Sequence, residues 1–222
     1  MTHLPLYIDV EGKRVTIFGG GLVGERRARL FLEHGAQVVV AAERFSRGLE
    51  DLASRGRVEL VKLKIPGDEE LARSLIRRSW LVVLAMSSVE ANRIVAGIAM
   101  DEEVMVNNAT SALEGDVIIP FRARVWEGIH LASTSLGEAG IAARRALEEA
   151  ARYLESRKDL QALYHAMKTV KRIMKQEIPD PKRRFKLYFE IAEDPGFREA
   201  IERGDQGTAV ERALKIIRTH KP

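Results

Sequence analysis

Apolar positions along this chain fall into two alternating rhythms. Val15-Thr16-Ile17-Phe18 is a short β-branched run, and after a glycine cluster Val23, Ala28, Phe31 and Leu32 recur at helical spacing on one prospective buried face. The same alternation continues. Residues 37–42 read as a second strand, 47–54 as a helix, 58–62 as a third strand with alternating polarity, and 68–77 as a helix. Trp80-Leu81-Val82-Val83-Leu84-Ala85 is continuously apolar, as a strand covered on both faces must be, and a helix at 91–99 and a strand at 104–107 follow. Strand-helix alternation of this kind predicts an open parallel sheet. A short apolar segment, Leu4 to Val10, precedes it.

The rhythm changes after Gly115. Residues 116–120 and 128–132 read as two short strands separated by a charged segment containing Arg122, Arg124 and Trp126. A lone hairpin is marginal in water, so the pair suits a subunit interface. Ser135 with Glu138 fits a capping box opening a helix that runs to Leu154. Asp180-Pro181 and Asp194-Pro195 each place a capping acid before a proline at the first helical position. Helices are therefore expected at 160–177, 181–192, 195–203 and 206–219, with Leu187, Phe189, Ile191, Phe197, Ile201, Val210, Leu214 and Ile217 available for packing.

The glycines between the first strand and helix have a chemical reading. Gly19, Gly21 and Gly24 fit G-x-G-x-x-G, which combines a tight turn, close approach of a pyrophosphate to the backbone, and close helix–strand packing. The following helix N-terminus, Leu22 and Val23 included, offers amides and a positive dipole end to that phosphate. Glu43, about 20 residues on at the end of the second strand, is placed to accept hydrogen bonds from ribose hydroxyls. Its neighbour Arg44 leaves the 2′-phosphorylated cofactor open, but Glu43 would repel that phosphate, so NAD is favoured. In open parallel sheets ligands bind beyond the carboxyl ends of the strands. That rule adds Met86-Ser87-Ser88 and Asn107-Asn108-Ala109-Thr110 to the same prospective site.

With 222 residues, 45% hydrophobic and 31% charged, the chain describes a globular protein, and its apolar runs are too short to span a bilayer. No signal segment opens it, so a cytoplasmic protein is expected. The absence of cysteine excludes disulfides, thiolate zinc sites and a thiol nucleophile. Only three Asn and four Gln occur beside abundant Arg and Glu, a composition suited to heat resistance. The net charge of +4 is concentrated late, in Lys168, Lys171, Arg172, Lys175, Lys182, Arg183, Arg184 and Lys186. Such a face suits nucleic acid or a small polycarboxylate, or is simply a solvated helix surface, since acids are interspersed and few aromatics interleave.

Several of these stretches, taken in order, resemble one family. Leu4-Pro5-Leu6, Gly19-Gly20-Gly21-Leu22-Val23-Gly24-Glu25-Arg26-Arg27-Ala28, Asn92, Asn107, Pro120, Ser133-Thr134-Ser135 and Lys182-Arg183-Arg184-Phe185 are similar to precorrin-2 dehydrogenase of the siroheme-synthase type. The resemblance implies an α/β fold: a Rossmann-like parallel sheet domain (1–114), a small β dimerisation segment with hairpin and helix (115–155) and a helical C-terminal domain (156–222). It implies a homodimer that oxidises precorrin-2 to sirohydrochlorin with NAD, with no nucleic acid or membrane partner and no resident metal. Substrate carboxylates would meet Arg122, Arg124 and Arg144, with Ser133 and Ser135 at a Ser/Thr turn. The family's aspartate, three residues after the asparagine matching Asn107, is Thr110 here. Threonine is no base, so Glu114 and Asp116 just downstream are the carboxylate candidates, unless water or the substrate takes the proton. His130 and His165 are further possible helpers. Metal insertion, a second activity in this family, depends more directly on that aspartate. A non-catalytic dinucleotide-sensing module would explain the Rossmann half but not the hairpin and helical tail.

Overall fold

The computed structural model describes residues 3–220. Contacts divide them into two units, one running up to Ile119 together with Leu136–Ala139, the other comprising Pro120–Ser135 and the chain from Gly140 onward.

The first unit alternates strand and helix as expected: β1 (Arg14–Phe18), α1 (Leu22–Glu33), β2 (Gln37–Ala42), α2 (Arg47–Ser54), β3 (Glu59–Lys62), α3 (Glu69–Ile76), β4 (Leu81–Leu84), α4 (Val89–Asp101) and β5 (Met105–Asn108). The strands form one parallel sheet in the order β3-β2-β1-β4-β5. The order reverses between β1 and β4, where the first crossover runs one way and the later one the other, and this is where such sheets open a ligand crevice. Register aligns the carboxyl ends, with Phe18 beside both Ala41 and Leu84, and Leu84 beside Asn108.

Because side chains alternate across a strand, the sheet is buried on both faces. Val15, Ile17, Val38, Val40, Leu81 and Val83 pack with Ala28, Phe31 and Leu49 on one side. Phe18, Val39, Ala41, Val82, Leu84 and Val106 pack with Ala72, Leu75, Ile76 and Val95 on the other. Ser46 and Ser88 cap α2 and α4 by accepting from the amides of Leu49 and Ala91. One position departs from the helical pattern: Val23 is not on the packed face of α1 but 45% exposed.

The second unit contains an antiparallel hairpin, β6 (Phe121–Val125) and β7 (Ile129–Ser133), then α5 (Gly140–Ser156), α6 (Lys158–Glu177), α7 (Pro181–Glu193), α8 (Pro195–Glu202) and α9 (Gln206–Thr219). Its helical core gathers Ala166, Val170, Met174, Leu187, Ile191, Phe197, Ala213 and Ile217. Asp180, Asp194 and Asp205 cap α7, α8 and α9, receiving the amides of Lys182, Phe197 and Thr208 at 3.0, 2.9 and 3.0 Å. No helix among the described residues is long and apolar enough to cross a membrane.

Three further expectations differ from the structure. The first hairpin strand is 121–125, not 116–120. Residues 116 and 117 are instead bound to the edge of β5: the Val106 amide donates to Asp116 Oδ2 at 2.9 Å and the Val117 amide to the Val106 carbonyl at 3.0 Å. Val117 and Ile119 then pack on the core of the first unit, which explains their apolar character without a hairpin. Ser135 is not the cap of α5, which begins at Gly140. Leu136 and Gly137 have φ of 55° and 92°, and a helix cannot run through two left-handed residues. Phe189 is not in the core: it is 58% exposed and meets Phe185, one turn away, edge to face at 5.0 Å.

Candidate functional site

The glycine turn after β1 is shaped by what lies too close for a side chain. A Cβ at Gly19, whose φ is 128°, would lie 2.4 Å from the Ala85 carbonyl oxygen; one at Gly24 would lie 1.9 Å from that of Gly19. At Gly20 it would meet the Arg44 carbonyl oxygen at 2.1 Å. These contacts bring the loops after β1, β2 and β4 together at the carboxyl edge of the sheet. Gly21 is different, because a Cβ there would meet nothing within 4 Å. Its space is open, and as N-cap of α1 it contributes no side-chain acceptor to the first-turn amides. Leu22 (71%) and Val23 (45%) are exposed beside it. A turn closed beneath by backbone and open above, ending in unclaimed helix amides, fits a dinucleotide pyrophosphate.

A carboxylate in the first turn of α1 would oppose that phosphate unless its charge were engaged elsewhere. Glu25 is such a group. Its Oε2 accepts from the Ser46 hydroxyl at 2.6 Å and its Oε1 from the Arg29 guanidinium at 2.8 and 2.9 Å. The Ser46 bond, and after it Arg29, holds the Glu25 carboxyl below the usual carboxylate range. The Ser46 amide in turn donates to the Gly20 carbonyl at 2.8 Å. Glu43 and Arg44, the two candidates for the ribose and its 2′ position, are exposed on the loop these bonds hold. Periodicity gave no sign of the Glu25–Ser46 bond. The one local signal that points to it is an acid placed immediately after the G-x-G-x-x-G turn.

The chain has three asparagines, and all three are buried near the carboxyl ends of β4 and β5. Asn92 Nδ2 donates to the Met86 carbonyl at 3.0 Å and reaches the Thr110 hydroxyl at 3.4 Å. Asn108 Oδ1 accepts from the Thr110 hydroxyl (2.7 Å) and from the amides of Thr110 (3.0 Å) and Ser111 (3.1 Å). Asn107 Nδ2 donates to the Val117 carbonyl at 2.7 Å. Buried amides are retained where they satisfy irregular backbone, and here they tie the loop after β5 to the turn after β4. Met86 and Thr110 are thereby joined, while Ser87 is exposed at the rim. Asn92 and Asn108 fix this geometry, a role the motif reading did not assign them.

Among the carboxylate candidates, Glu114 Oε2 accepts from Asn108 Nδ2 at 3.3 Å, close to the end of β5. Asp116 uses one oxygen on the Val106 amide further back along the strand. The other predicted residues belong to the second unit. In the hairpin register Arg122 stands opposite Ala132, Arg124 opposite His130 and Ser133 opposite Phe121; Ser135 follows β7 and Arg144 lies on α5. Arg124 Nε donates to the Glu127 carbonyl at 3.0 Å across the hairpin turn, and Arg144 pairs with Glu148 at 2.8 Å.

Residues 6–121 match a protein family described as "Putative NAD(P)-binding". The precorrin-2 dehydrogenase of Methanosarcina barkeri is 29% identical, over 98% of this chain and 94% of its own. A siroheme synthase of Gluconobacter oxydans is also 29% identical over 96% of this chain, which spans only 44% of that longer protein. The solved structure of SirC, a precorrin-2 dehydrogenase, superposes with a TM-score of 0.70 over 96% of this chain and all of its own, at 24% identity; it shares the fold.

Proposed function

Since the chain belongs to this NAD(P)-binding family, we propose that it is a precorrin-2 dehydrogenase, oxidising precorrin-2 to sirohydrochlorin with NAD in siroheme biosynthesis. The observation that carries the nucleotide half is the glycine turn, closed to a Cβ at Gly19, Gly20 and Gly24 and open at Gly21. Gly19, Gly21, Leu22, Val23 and Gly24 would hold the pyrophosphate, Glu43 and Arg44 would face the adenosine ribose, and Met86, Ser87 and Asn107 would border the nicotinamide. When bound, that ring supplies the two-electron acceptor for hydride.

The chain's own residues then have to position the macrocycle and remove a proton. Arg122, Arg124 and Arg144 would pair with its carboxylates, for which guanidinium forks are suited, and Ser133 and Ser135 would donate to the same groups. Thr110 has no basicity near neutral pH; its hydroxyl, held by Asn108 and Asn92, positions rather than abstracts. Glu114 is the better-placed carboxylate, because its partner Asn108 ends β5, whereas Asp116 is bound to Val106 further back along the strand. Dehydrogenation needs a proton acceptor for one step only, and water or a substrate carboxylate serves as well once geometry is held. We take the active protein as a cytoplasmic homodimer. The outward residues Ile141 (77% exposed) and Tyr153 (58%) on α5 are apolar surface that a second copy would cover.

The test is direct. Purified protein mixed with precorrin-2 and NAD should generate NADH absorbance together with the sirohydrochlorin spectrum. Intact protein that binds NAD yet leaves precorrin-2 unchanged would remove the assignment.

A further inference from the structure

The Glu25–Ser46 bond crosses between two helices that the sheet alone does not bring into register. Glu25 stands in the first turn of α1, directly after the last glycine of the turn, and Ser46 is the N-cap of α2. One serine makes three connections. Its hydroxyl donates to Glu25 at 2.6 Å and accepts the Leu49 amide at 3.3 Å, while its amide donates to the Gly20 carbonyl at 2.8 Å. The carboxylate is held from the other side by Arg29 of its own helix. Gly48 completes the arrangement, since a Cβ there would lie 2.1 Å from Glu25 Oε1. The carboxylate therefore occupies a slot that exists because residue 48 has no side chain. The segment enclosed by these bonds, residues 43–46, carries Glu43 and Arg44.

We infer that Glu25 is a positioning residue that sets cofactor specificity: by clasping Ser46 it fixes the loop carrying Glu43 against the glycine turn, so that the adenosine 2′ position meets a carboxylate held in place. The inference rests on the dinucleotide reading above. A carboxylate on a fixed loop accepts from ribose hydroxyls and repels a 2′-phosphate. A carboxylate on a loose loop can swing away, and the neighbouring Arg44 is then free to pair with the phosphate. Rigidity also lowers the ordering cost of binding the adenosine half.

Calorimetric titration of the full chain with ADP-ribose, NAD, NADP and nicotinamide mononucleotide separates the outcomes. For Glu25→Ala, ADP-ribose should bind about tenfold more weakly, the preference for NAD over NADP should shrink by a similar factor, and mononucleotide affinity should not change. Gly48→Ala, which keeps both clasp side chains but drives a Cβ into the carboxylate, should move the same ratio in the same direction. Ser46→Thr retains the hydroxyl and should keep wild-type selectivity. Glu25→Gln, of the same shape and able to accept from Ser46, should lie between wild type and Glu25→Ala. It also carries the test if the alanine variant does not fold. Unchanged NAD/NADP selectivity in folded Glu25→Gln and Gly48→Ala overturns the inference while leaving the dinucleotide site intact. Wild-type protein that binds none of the dinucleotides overturns the reading beneath it as well.

Discussion

Both units of this molecule have apolar cores, but their loops and helix ends are shaped by different parts of the polypeptide. In the α/β unit, the glycine turn at the carboxyl edge of the sheet exists because backbone meets backbone where no side chain would fit: Gly24 against Gly19, Gly19 against Ala85, Gly20 against Arg44. In the helical unit, the ends of the elements are set by side chains, with Asp180, Asp194 and Asp205 capping three helices around an apolar core. A contact made by backbone cannot be repacked by choosing another rotamer, whereas a cap can be exchanged at modest cost. The first unit should therefore be intolerant at a few positions and the second tolerant at many.

Substitution at the glycine turn should produce the largest effects and separate fold from binding. Gly24→Val places a branched side chain where even a Cβ would be 1.9 Å from a carbonyl oxygen, and should cost about 3 kcal/mol or more, or abolish folding. Gly21→Ala should melt within about 0.5 kcal/mol of wild type yet bind NAD poorly, because its Cβ enters the space proposed for the pyrophosphate. Equal melting of the two variants would break the comparison. Next in size is Phe197→Ala in the helical core, expected to cost about 3–5 kcal/mol while folded protein keeps its affinity for ADP-ribose. Denaturant unfolding followed by titration checks both parts.

Asp194 tests the cap argument at intermediate size. It accepts the Phe197 amide and both nitrogens of the Arg212 fork at 2.8 Å, and the Arg212 bonds foremost lower its carboxyl pKa to about 2. A carboxyl depressed in the folded state contributes stability that is fully present above its unfolded value, and loses it as pH falls through the folded one. Asp194→Ala should thus cost about 1–2 kcal/mol near neutrality, and the difference from wild type should disappear between about pH 4 and pH 2. A gap that persisted at the acid end would mean packing, not charge, sets the contribution of Asp194. The smallest effect on stability belongs to Arg144→Ala. The exposed Arg144–Glu148 pair contributes no more than about 0.5 kcal/mol. Under the proposed function the same variant should raise KM for precorrin-2 several-fold with NAD affinity unchanged.

The order of elements was legible where pattern and chemistry coincide. The boundaries of α2 and α9 match the periodicity, and the other strands and helices up to β5 lie within about two residues of it, because a buried parallel strand and an amphipathic helix impose distinct spacings. The Asp-Pro starts of α7 and α8 were equally plain. Residues 116–120 misled, since a segment packed along a sheet edge shows the same apolar run as a hairpin strand. The capping box at Ser135 misled because Leu136, lacking glycine's signature, takes a left-handed conformation that no local rule anticipates. Within the candidate site, the glycines announced themselves. The linkage of Asn92 to Met86 and Thr110, and of Glu25 to Ser46, did not, since each joins residues from 6 to 21 positions apart through loops.

By itself, then, the sequence determined the alternation of strands and helices and the glycine turn after β1, because both depend on local spacing and on the absence of side chains at particular positions. Only the tertiary structure decided which apolar segment pairs in the hairpin, where α5 begins and which carboxylate is engaged elsewhere. Those outcomes depend on which distant backbone groups need a partner, a competition that no stretch of neighbouring residues contains.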